Sequence, residues 1–516
     1  MIIYILLSSI IFLLICFSFF GIYNFIYSIA SIFKQKIKKV VSLQNAKVAV
    51  VIVSFNEKKV LFDTIKACEQ LTYKNKIIII GDDSNDKDSI MFLQNLVKEK
   101  QLTLREYSEH SEHSEDSKNS EHSEKKTNSN SLVYESDDFV VFHRIKNIGF
   151  KAGNLKAMES YLKERGIDYM YLLDSDWHPQ VDAIERCLEV IEAEDDIAFV
   201  QTKRLSHYGP FDHFMRSIAI VEEACYFVDL PGRQNMGDMI LFSGCCALFK
   251  LSYLYEVGGF QTGHLTEDLD ISNRFYLNGY KGVYLEEVEN VGEVPPTYRA
   301  FRKQQERWAI GTAKSFKDYF FRIIKNKKMS FKTKCGLLRQ NAYYSSIIIT
   351  ELSILISTIF IVLYYFRTSL HLEDQFSSEL LIILQQYLVP IMLVLLFSSI
   401  LPLIVYIFKK RDWPNFIYIL PACWFPLSVT HTYLIGNIKG FTNIPSNWYL
   451  TPKTNRQKVK ITTVRDWRIQ FVNFLTLILL AYTYFMSYHL SSEIFVYSLP
   501  YAILWIPALV IGVIKS

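Results

Sequence analysis

Apolar residues fall in two kinds of run along this chain. Between residues 40 and 340, short β-branched runs alternate with helically spaced stretches, whereas longer, nearly uncharged runs fill the two ends. Ala46–Ser54 (AKVAVVIVS) is a continuous apolar run, the pattern of a strand buried on both faces of a parallel sheet. Lys58–Leu71 then has helical spacing, and Lys76–Ile80 returns to strand. Phe139–Arg144, Tyr169–Leu173 and Ala198–Gln201 add further strands. The series is βαβ, and it predicts an open α/β sheet with its ligand site beyond the carboxyl ends of the strands.

The terminal runs read as membrane spans. Ile2–Phe33 is longer than the apolar part of a signal peptide and lacks a clean cleavage pattern, so it reads as a retained span. Lys34, Lys36, Lys38 and Lys39 follow it and place that flank in the cytoplasm. Asn341–Phe366, Leu381–Phe408, Phe471–Tyr488 and Ile494–Val513 give four more spans. Residues 415–441 are interrupted by Pro421, Pro426, His431 and Asn437. Lys439 near their end and Lys453, Arg456, Lys458, Lys460, Arg465 and Arg468 after them stand against Asp466. A sixth crossing would put that basic set outside, so an interfacial or re-entrant segment on the cytoplasmic side fits better, with six spans as the alternative.

The expected organisation is therefore a span at 1–33, a cytoplasmic domain at 34–340 and two spans at 341–408. An interfacial segment at 409–470 and two closing spans at 471–516 complete it. Such a chain is an integral, multi-pass membrane protein in contact with lipid. Within the domain, Ser108–Ser131 is repetitive, charged and free of apolar residues, which predicts a disordered insertion whose histidines are incidental.

Composition narrows the class. The 516 residues are 50% hydrophobic and carry a formal charge of only +4, which argues against nucleic acid as a partner. The cysteines (Cys16, Cys68, Cys187, Cys225, Cys245, Cys246, Cys335, Cys423) include no CxxC pair, so they read as reduced, without a disulfide framework or zinc site.

Four polar clusters carry candidate chemistry. Gly81-Asp82-Asp83-Ser84-Asn85-Asp86 follows an isoleucine strand, where carboxylates face a ligand crevice; alone, a self-capped Asp-rich turn accounts for it equally well. Asp174-Ser175-Asp176 follows another buried strand. Two carboxylates there need compensation, which Mg²⁺ or Mn²⁺ bound to a diphosphate supplies. Thr266-Glu267-Asp268 reads either as a helix start or as the source of a general base, Asp268. In Gln304-Gln305-Glu306-Arg307-Trp308, residues 304, 307 and 308 share a helix face offering an amide, a guanidinium and an aromatic platform. The same stretch also reads as an amphipathic helix lying on a membrane, anchored by Phe301, Trp308 and Phe316.

Taken in order, Asp82, Asp174-x-Asp176, Thr266-Glu267-Asp268 and Gln304-x-x-Arg307-Trp308 resemble the D, DxD, TED, QxxRW signature of membrane-integrated family 2 glycosyltransferases. Asp82–Asp86, Gly149–Leu155 (GFKAGNL) and Tyr298–Gly311 (YRAFRKQQERWAIG) are similar to DDSTD, GYKAGAL and FKAFRYQQHRWSCG of the cellulose-synthase-like mannan and glucomannan synthases. The resemblance implies a GT-A-type, Rossmann-like α/β domain joined to transmembrane helices. It also implies inverting transfer from a UDP- or GDP-hexose to a glycan acceptor.

Roles follow residue by residue from the resemblance. Asp82, Lys151, Gly153, Asp174 and Arg307 would bind the nucleotide-sugar, with Asp174 and Asp176 on Mg²⁺ or Mn²⁺. Asp268, beside Glu267, would be the base. Gln304, Trp308, Gly244 and Cys245 would meet the acceptor. Trp448–Lys453 is similar to a gating loop FxVTxK, which singles out Trp448, Thr451 and Lys453. Ser243-Gly244-Cys245-Cys246 and Ser175-Asp176-Trp177 depart from the synthases' usual sequences, which leaves donor and acceptor identity open. A processive β-glycan synthase is the leading expectation, and a single-transfer lipid glycosyltransferase, ceramide glucosyltransferase-like, is the alternative. A transporter or a sensor with a degraded site is a third reading, opposed by the intact carboxylates. Accessory subunits are not legible.

Overall fold

The computed structural model describes residues 20–41, 45–105, 131–207, 212–346, 389–444, 470–471, 473–478, 481 and 492–515. Its centre is one mixed sheet of ten strands among the described residues, in the order β3-β4-β5-β2-β1-β6-β9-β8-β10-β7. Along the chain these are β1 Val48–Ser54, β2 Lys76–Asp82, β3 Thr103–Arg105, β4 Ser131–Glu135 and β5 Phe139–Arg144. The series continues with β6 Tyr169–Asp174, β7 His178–Pro179, β8 Ile197–His207, β9 Ala247–Lys250 and β10 Lys281–Glu293.

β5, β2, β1 and β6 are mutually parallel, as their β-branched runs imply. Beyond them the pairing is mixed: β8 and β10 are parallel to each other, but antiparallel strands interrupt the series. β9 inserts antiparallel between β6 and β8, β4 runs antiparallel to β5, and β7 runs antiparallel to β10. The sheet is thus a mixed α/β sheet. Ser131, assigned to the insertion, is instead the first residue of β4; the rest of 108–131 lies outside the described residues.

Helices cover both faces. On one face, α1 (Lys58–Glu69) and α2 (Lys87–Glu99) bring Leu61, Ile65, Leu93 and Leu96 against Val50, Ile52, Ile78 and Ile80. On the other, α3 (Phe150–Glu164) and α4 (Glu267–Leu277) bring Leu155, Met158, Ile271 and Phe275 against Val51, Ile79, Leu172 and Phe249. Burial of both strand faces is why these strands read as unbroken apolar runs.

The long helix α5 (Tyr298–Lys325) starts at Thr297, whose hydroxyl accepts from the Ala300 amide. Phe301, expected at a membrane surface, is 3% exposed and packs with Phe214 and Tyr298 inside the protein. Downstream lie α6 (Val389–Lys410), α7 (Ile419–Leu427), α8 (Thr430–Thr442) and α9 (Ser492–Lys515). α8 lies hard against α5. A Cβ on Gly436 would come within 2.7 Å of the Ala309 Cβ, and one on Gly440 within 2.5 Å of the Ile310 carbonyl oxygen. Lys439 closes the seam with an ion pair to Glu306 at 2.6 Å. At the end of α6, Tyr406 and Lys410 donate to the buried Glu223 carboxylate at 2.7 and 2.6 Å, joining this helix to the sheet domain.

Among the described residues no helix is long and apolar enough to cross a membrane. The expected spans fall largely elsewhere: residues 1–19, 347–388 and 482–491 lie outside the described residues, and the side chains of α6 are described only from Phe397, apart from residue 399. Trp448, Thr451 and Lys453 also lie outside them.

Candidate active site

β1, β2, β5 and β6 end at Ser54, Asp82, Arg144 and Asp174, so their carboxyl ends form one rim, where an open α/β sheet places its ligands. The register aligns Val53 with Asp174, Ser54 with Asp82 and Asp82 with His143. Two polar groups occupy this rim.

The first surrounds Asp174. Lys151, in the first turn of α3, donates to the Asp174 carboxylate at 2.5 Å and to the Gly244 carbonyl at 2.7 Å, and lies 3.5 Å from Glu267. Burial pulls the Lys151 ammonium down, but Asp174 and Glu267 more than offset it and hold it above its ordinary value. Glu267 and Asp268 open the first turn of α4, so the helix-start reading and the site reading of this motif hold together. The Asp268 carboxyl is pushed up to about 7, by burial first and then by the neighbouring Glu267, with Lys151 and Arg307 acting in the opposite sense. Arg307 reaches in from α5, where Glu267, Asp268 and Asp174 all act on its guanidinium, while burial pulls it below its usual value.

Gly244 closes this group. Its φ of +91° is open to glycine and strained for other residues, and a Cβ there would lie 3.6 Å from Asp268 Oδ2. The loop is fixed from both ends, by Lys151 at Gly244 and by Arg204, which donates to the Ser243 carbonyl at 3.0 Å. Arg204 lies over the Trp177 ring at 4.1 Å, one residue beyond Asp176. Cys245 is buried beneath the loop.

The second group surrounds Asp82 and Asp83. Asp83 takes a bidentate pair of bonds from Arg144 at 2.7 and 2.5 Å and a third from Asn154 at 2.9 Å. Asp82 accepts from the Ser84 amide, the Ser84 hydroxyl and His143 Nδ1 at 2.9, 2.7 and 2.8 Å. Gly153 belongs here by packing: a Cβ on it would strike the Ile148 carbonyl oxygen at 1.9 Å, so glycine lets α3 approach the loop that Arg144 holds.

The structure therefore brings Lys151, Asp174, Glu267, Asp268, Arg307 and Gly244 together and sets Asp82 and Gly153 along the rim. Gln304 and Trp308 lie on α5 one turn or less from Arg307; Gln304 Oε1 is buried without a hydrogen-bond partner among the described residues. The neighbouring Gln305, which the sequence left without a role, accepts from Tyr344 and Tyr433 and ties α5 to α8. Sequence reasoning missed His143, Arg144, Asn154 and Arg204. The available signal was a His-Arg pair ending an apolar strand, two strands away from Asp174's neighbour β1.

A family model described as glycosyl transferase family group 2 matches residues 169–515, more than half of the chain. The chain belongs to this family. Among curated relatives of this glycosyltransferase, a probable glucomannan 4-beta-mannosyltransferase 14 of Arabidopsis thaliana is 29% identical over 303 residues, 57% of this chain and 50% of the relative. A glucomannan 4-beta-mannosyltransferase 1 of Oryza sativa is 29% identical over 202 residues, covering 37% of this chain and 36% of its own. The chain thus spans half or less of the length of these relatives. A solved mannosyltransferase from Pyrobaculum calidifontis, in complex with GDP-Man and Mn²⁺, is 15% identical with a TM-score of 0.46, over 79% of this chain and 99% of its own.

Proposed function

We propose that this glycosyltransferase carries out inverting transfer of a hexose from a UDP- or GDP-hexose to the end of a growing β-linked glycan of mannan or glucan type. The observation that carries the proposal is Asp268: an acid held near pKa 7, beside the Gly244 turn and within reach of Lys151 and Arg307. A base with that affinity is matched to removing a hydroxyl proton near neutral pH. Family membership and the relatives' names, glucomannan 4-beta-mannosyltransferases, support the mannan or glucan assignment.

In this reading the acceptor hydroxyl meets Asp268 Oδ2 over Gly244, where a side chain would intrude. Lys151 and Arg307 hold the diphosphate end of the donor, and the Ser243–Cys245 loop, pinned by Arg204 and Lys151, fixes the distance between the two sugars. Asp174, the last residue of β6, and Asp176 just beyond it would hold Mg²⁺ or Mn²⁺ beside the donor's diphosphate. When bound there, such an ion supplies positive charge to the leaving diphosphate. Gln304 and Trp308 bound the acceptor side. The glycan leaves through a multi-pass membrane region, with the sheet domain in the cytoplasm.

The test is transfer of label from a panel of UDP- and GDP-hexoses by the detergent-solubilised full chain with Mn²⁺ or Mg²⁺, beside an Asp268→Asn control. A high-molecular-weight, glycosidase-sensitive product that vanishes in the control is expected. Label confined to a lipid or a short oligosaccharide would replace the polymer reading with single transfer. Failure of every donor would end the proposal.

A further inference from the structure

Two basic segments of this chain adjoin apolar runs: Lys34, Lys36, Lys38 and Lys39 follow the first, and Lys327, Lys328, Lys332 and Lys334 precede the run that starts at Asn341. Far apart in sequence, they meet in the fold. Lys36 and Lys38 from one and Thr333 from the other line a single cavity of about 360 Å³, together with Gly237, Asp238 and Lys281. That is near the lower end of the ~300–1,000 Å³ usual for small-ligand sites, room for a polar headgroup but not for acyl chains.

The cavity is remote from the transfer site. Lys281 is the first residue of β10, which runs parallel to β8, and β8 runs parallel to β6 because β9 is antiparallel to both. Lys281 thus stands at the opposite edge of the sheet from the rim that carries Asp174.

Its walls are tied together by bonds between distant segments. Asn235 donates to the Ala30 and Phe33 carbonyls, both at 2.8 Å, where the helical residues 20–30 end. Tyr27 donates to Asp238, whose side chain is 1% exposed and lies 3.7 Å from Arg339, so that acid is answered from within the protein. Lys332 donates to the Met236 carbonyl. Glu194 is shared by Lys38 at 3.1 Å and Lys281 at 2.5 Å, and Asp196 takes Lys281 at 2.9 Å. Lys36 has no such partner among the described residues, so the lysines of the cavity outnumber the acids that meet them.

The same bonds set apolar side chains beside the cavity. Phe33, Met236 and Phe331 are all exposed, and each lies within three positions of a lining residue: Lys36, Gly237 and Thr333. An exposed apolar patch bordering a basic cavity suits a lipid, whose acyl boundary takes the apolar side chains while its phosphate meets the lysines. A soluble phosphate would use the lysines alone and leave the three apolar side chains in water.

We infer that this cavity binds the phosphate of an anionic phospholipid headgroup, with Lys36 and Lys38 as its cations and Phe33, Met236 and Phe331 against the acyl chains. The inference rests on the membrane placement in the proposed function and adds a second site to it.

The full chain in detergent, mixed with equal amounts of phosphatidylglycerol and phosphatidylcholine, tests it, with bound lipid counted by native mass spectrometry. Phosphatidylcholine carries the same phosphate beside a cation that the lysines repel. The wild type should retain phosphatidylglycerol at least about tenfold over phosphatidylcholine, and Lys36→Gln with Lys38→Gln should bring that ratio to within about threefold of unity. Thr333→Tyr, which fills the cavity and keeps the charge, should do the same. Lys327→Gln with Lys328→Gln, on the same basic segment but outside the lining, should leave the ratio unchanged. A thermal melt beside each variant separates misfolding from lost binding. An unselective wild type, an unchanged ratio in either folded cavity variant, or an equal fall in the Lys327 and Lys328 variant overturns the inference. So does displacement of phosphatidylglycerol by millimolar glycerol phosphate, which would assign the site to a soluble phosphate. Label transfer by the same samples keeps the two readings apart: lost selectivity with transfer intact removes the lipid site alone, and a wild type with neither removes the proposed function too.

Discussion

Asp82-Asp83 and Asp174-x-Asp176 look alike in sequence: acid pairs at the ends of two parallel strands that flank β1. Their surroundings differ. Each carboxylate of the first pair has its charge answered by fitted donors, Arg144 and Asn154 at Asp83, Ser84 and His143 at Asp82. Around the second, Lys151 is shared between Asp174 and Glu267, and Asp268 is left with an acid as its neighbour and a pKa near 7. A carboxylate whose charge is matched by geometry holds the fold. One whose charge is contested is available for proton transfer.

That contrast breaks most visibly at Asp268. Asp268→Asn should lower transfer by about 10²- to 10⁴-fold with an unchanged melting temperature, as label-transfer assays and a thermal melt would read. A large drop in melting temperature would instead place Asp268 in the first class. At the matched end the reverse is expected. Arg144→Ala leaves Asp83 buried without its ion-pair partner and should cost roughly 3–5 kcal/mol of stability in a denaturant titration. Retention of full stability would show that the Asp83 charge was not being held by Arg144.

Lys151→Met probes the shared cation. It should weaken donor binding and transfer together, by about 10- to 100-fold, since a charge-assisted bond and the Gly244 anchor go at once. A change confined to melting temperature would contradict the assignment. The pH profile sharpens the comparison further. Because the Asp268 pKa is raised and the base must be ionised, transfer should climb as pH rises through about 7 and level off above it. The residual transfer of Asp268→Asn should be flat over the same range. The smallest effect belongs to packing: Gly440→Ala should cost about 1–3 kcal/mol through its clash with the Ile310 carbonyl, measured by thermal melt.

The parallel centre of the sheet was legible because β1, β2, β5 and β6 are buried on both faces and so read as unbroken apolar runs. β9 was not: four residues, Ala247–Lys250, follow a cysteine pair and carry no strand-length signal. β10 hides behind the Glu286-Glu287 pair, where its register against β8 shifts between Leu285 and Glu289. In the site, the acids were legible by type and order, since carboxylates at strand ends are unusual in themselves. Their partners were not. Arg144 and Asn154 meet Asp83 from 61 and 71 residues away, and nothing local in HRIKNIG or KAGNLK announces that meeting. Gly153 was legible as a motif residue, but the carbonyl it makes room for was not.

The glycine seam between α5 and α8 bears on how such enzymes diversify. Gly436 and Gly440 bring backbone to backbone along the turns that follow Arg307 and Trp308, so the helix that carries site residues is shaped by one that lies more than a hundred positions later. The sheet domain and the helices after it are therefore not interchangeable cassettes. A recombinant that took residues up to α5 from this chain and the remainder from a relative would inherit a working site only if two small residues, one helical turn apart, came across on the donated piece.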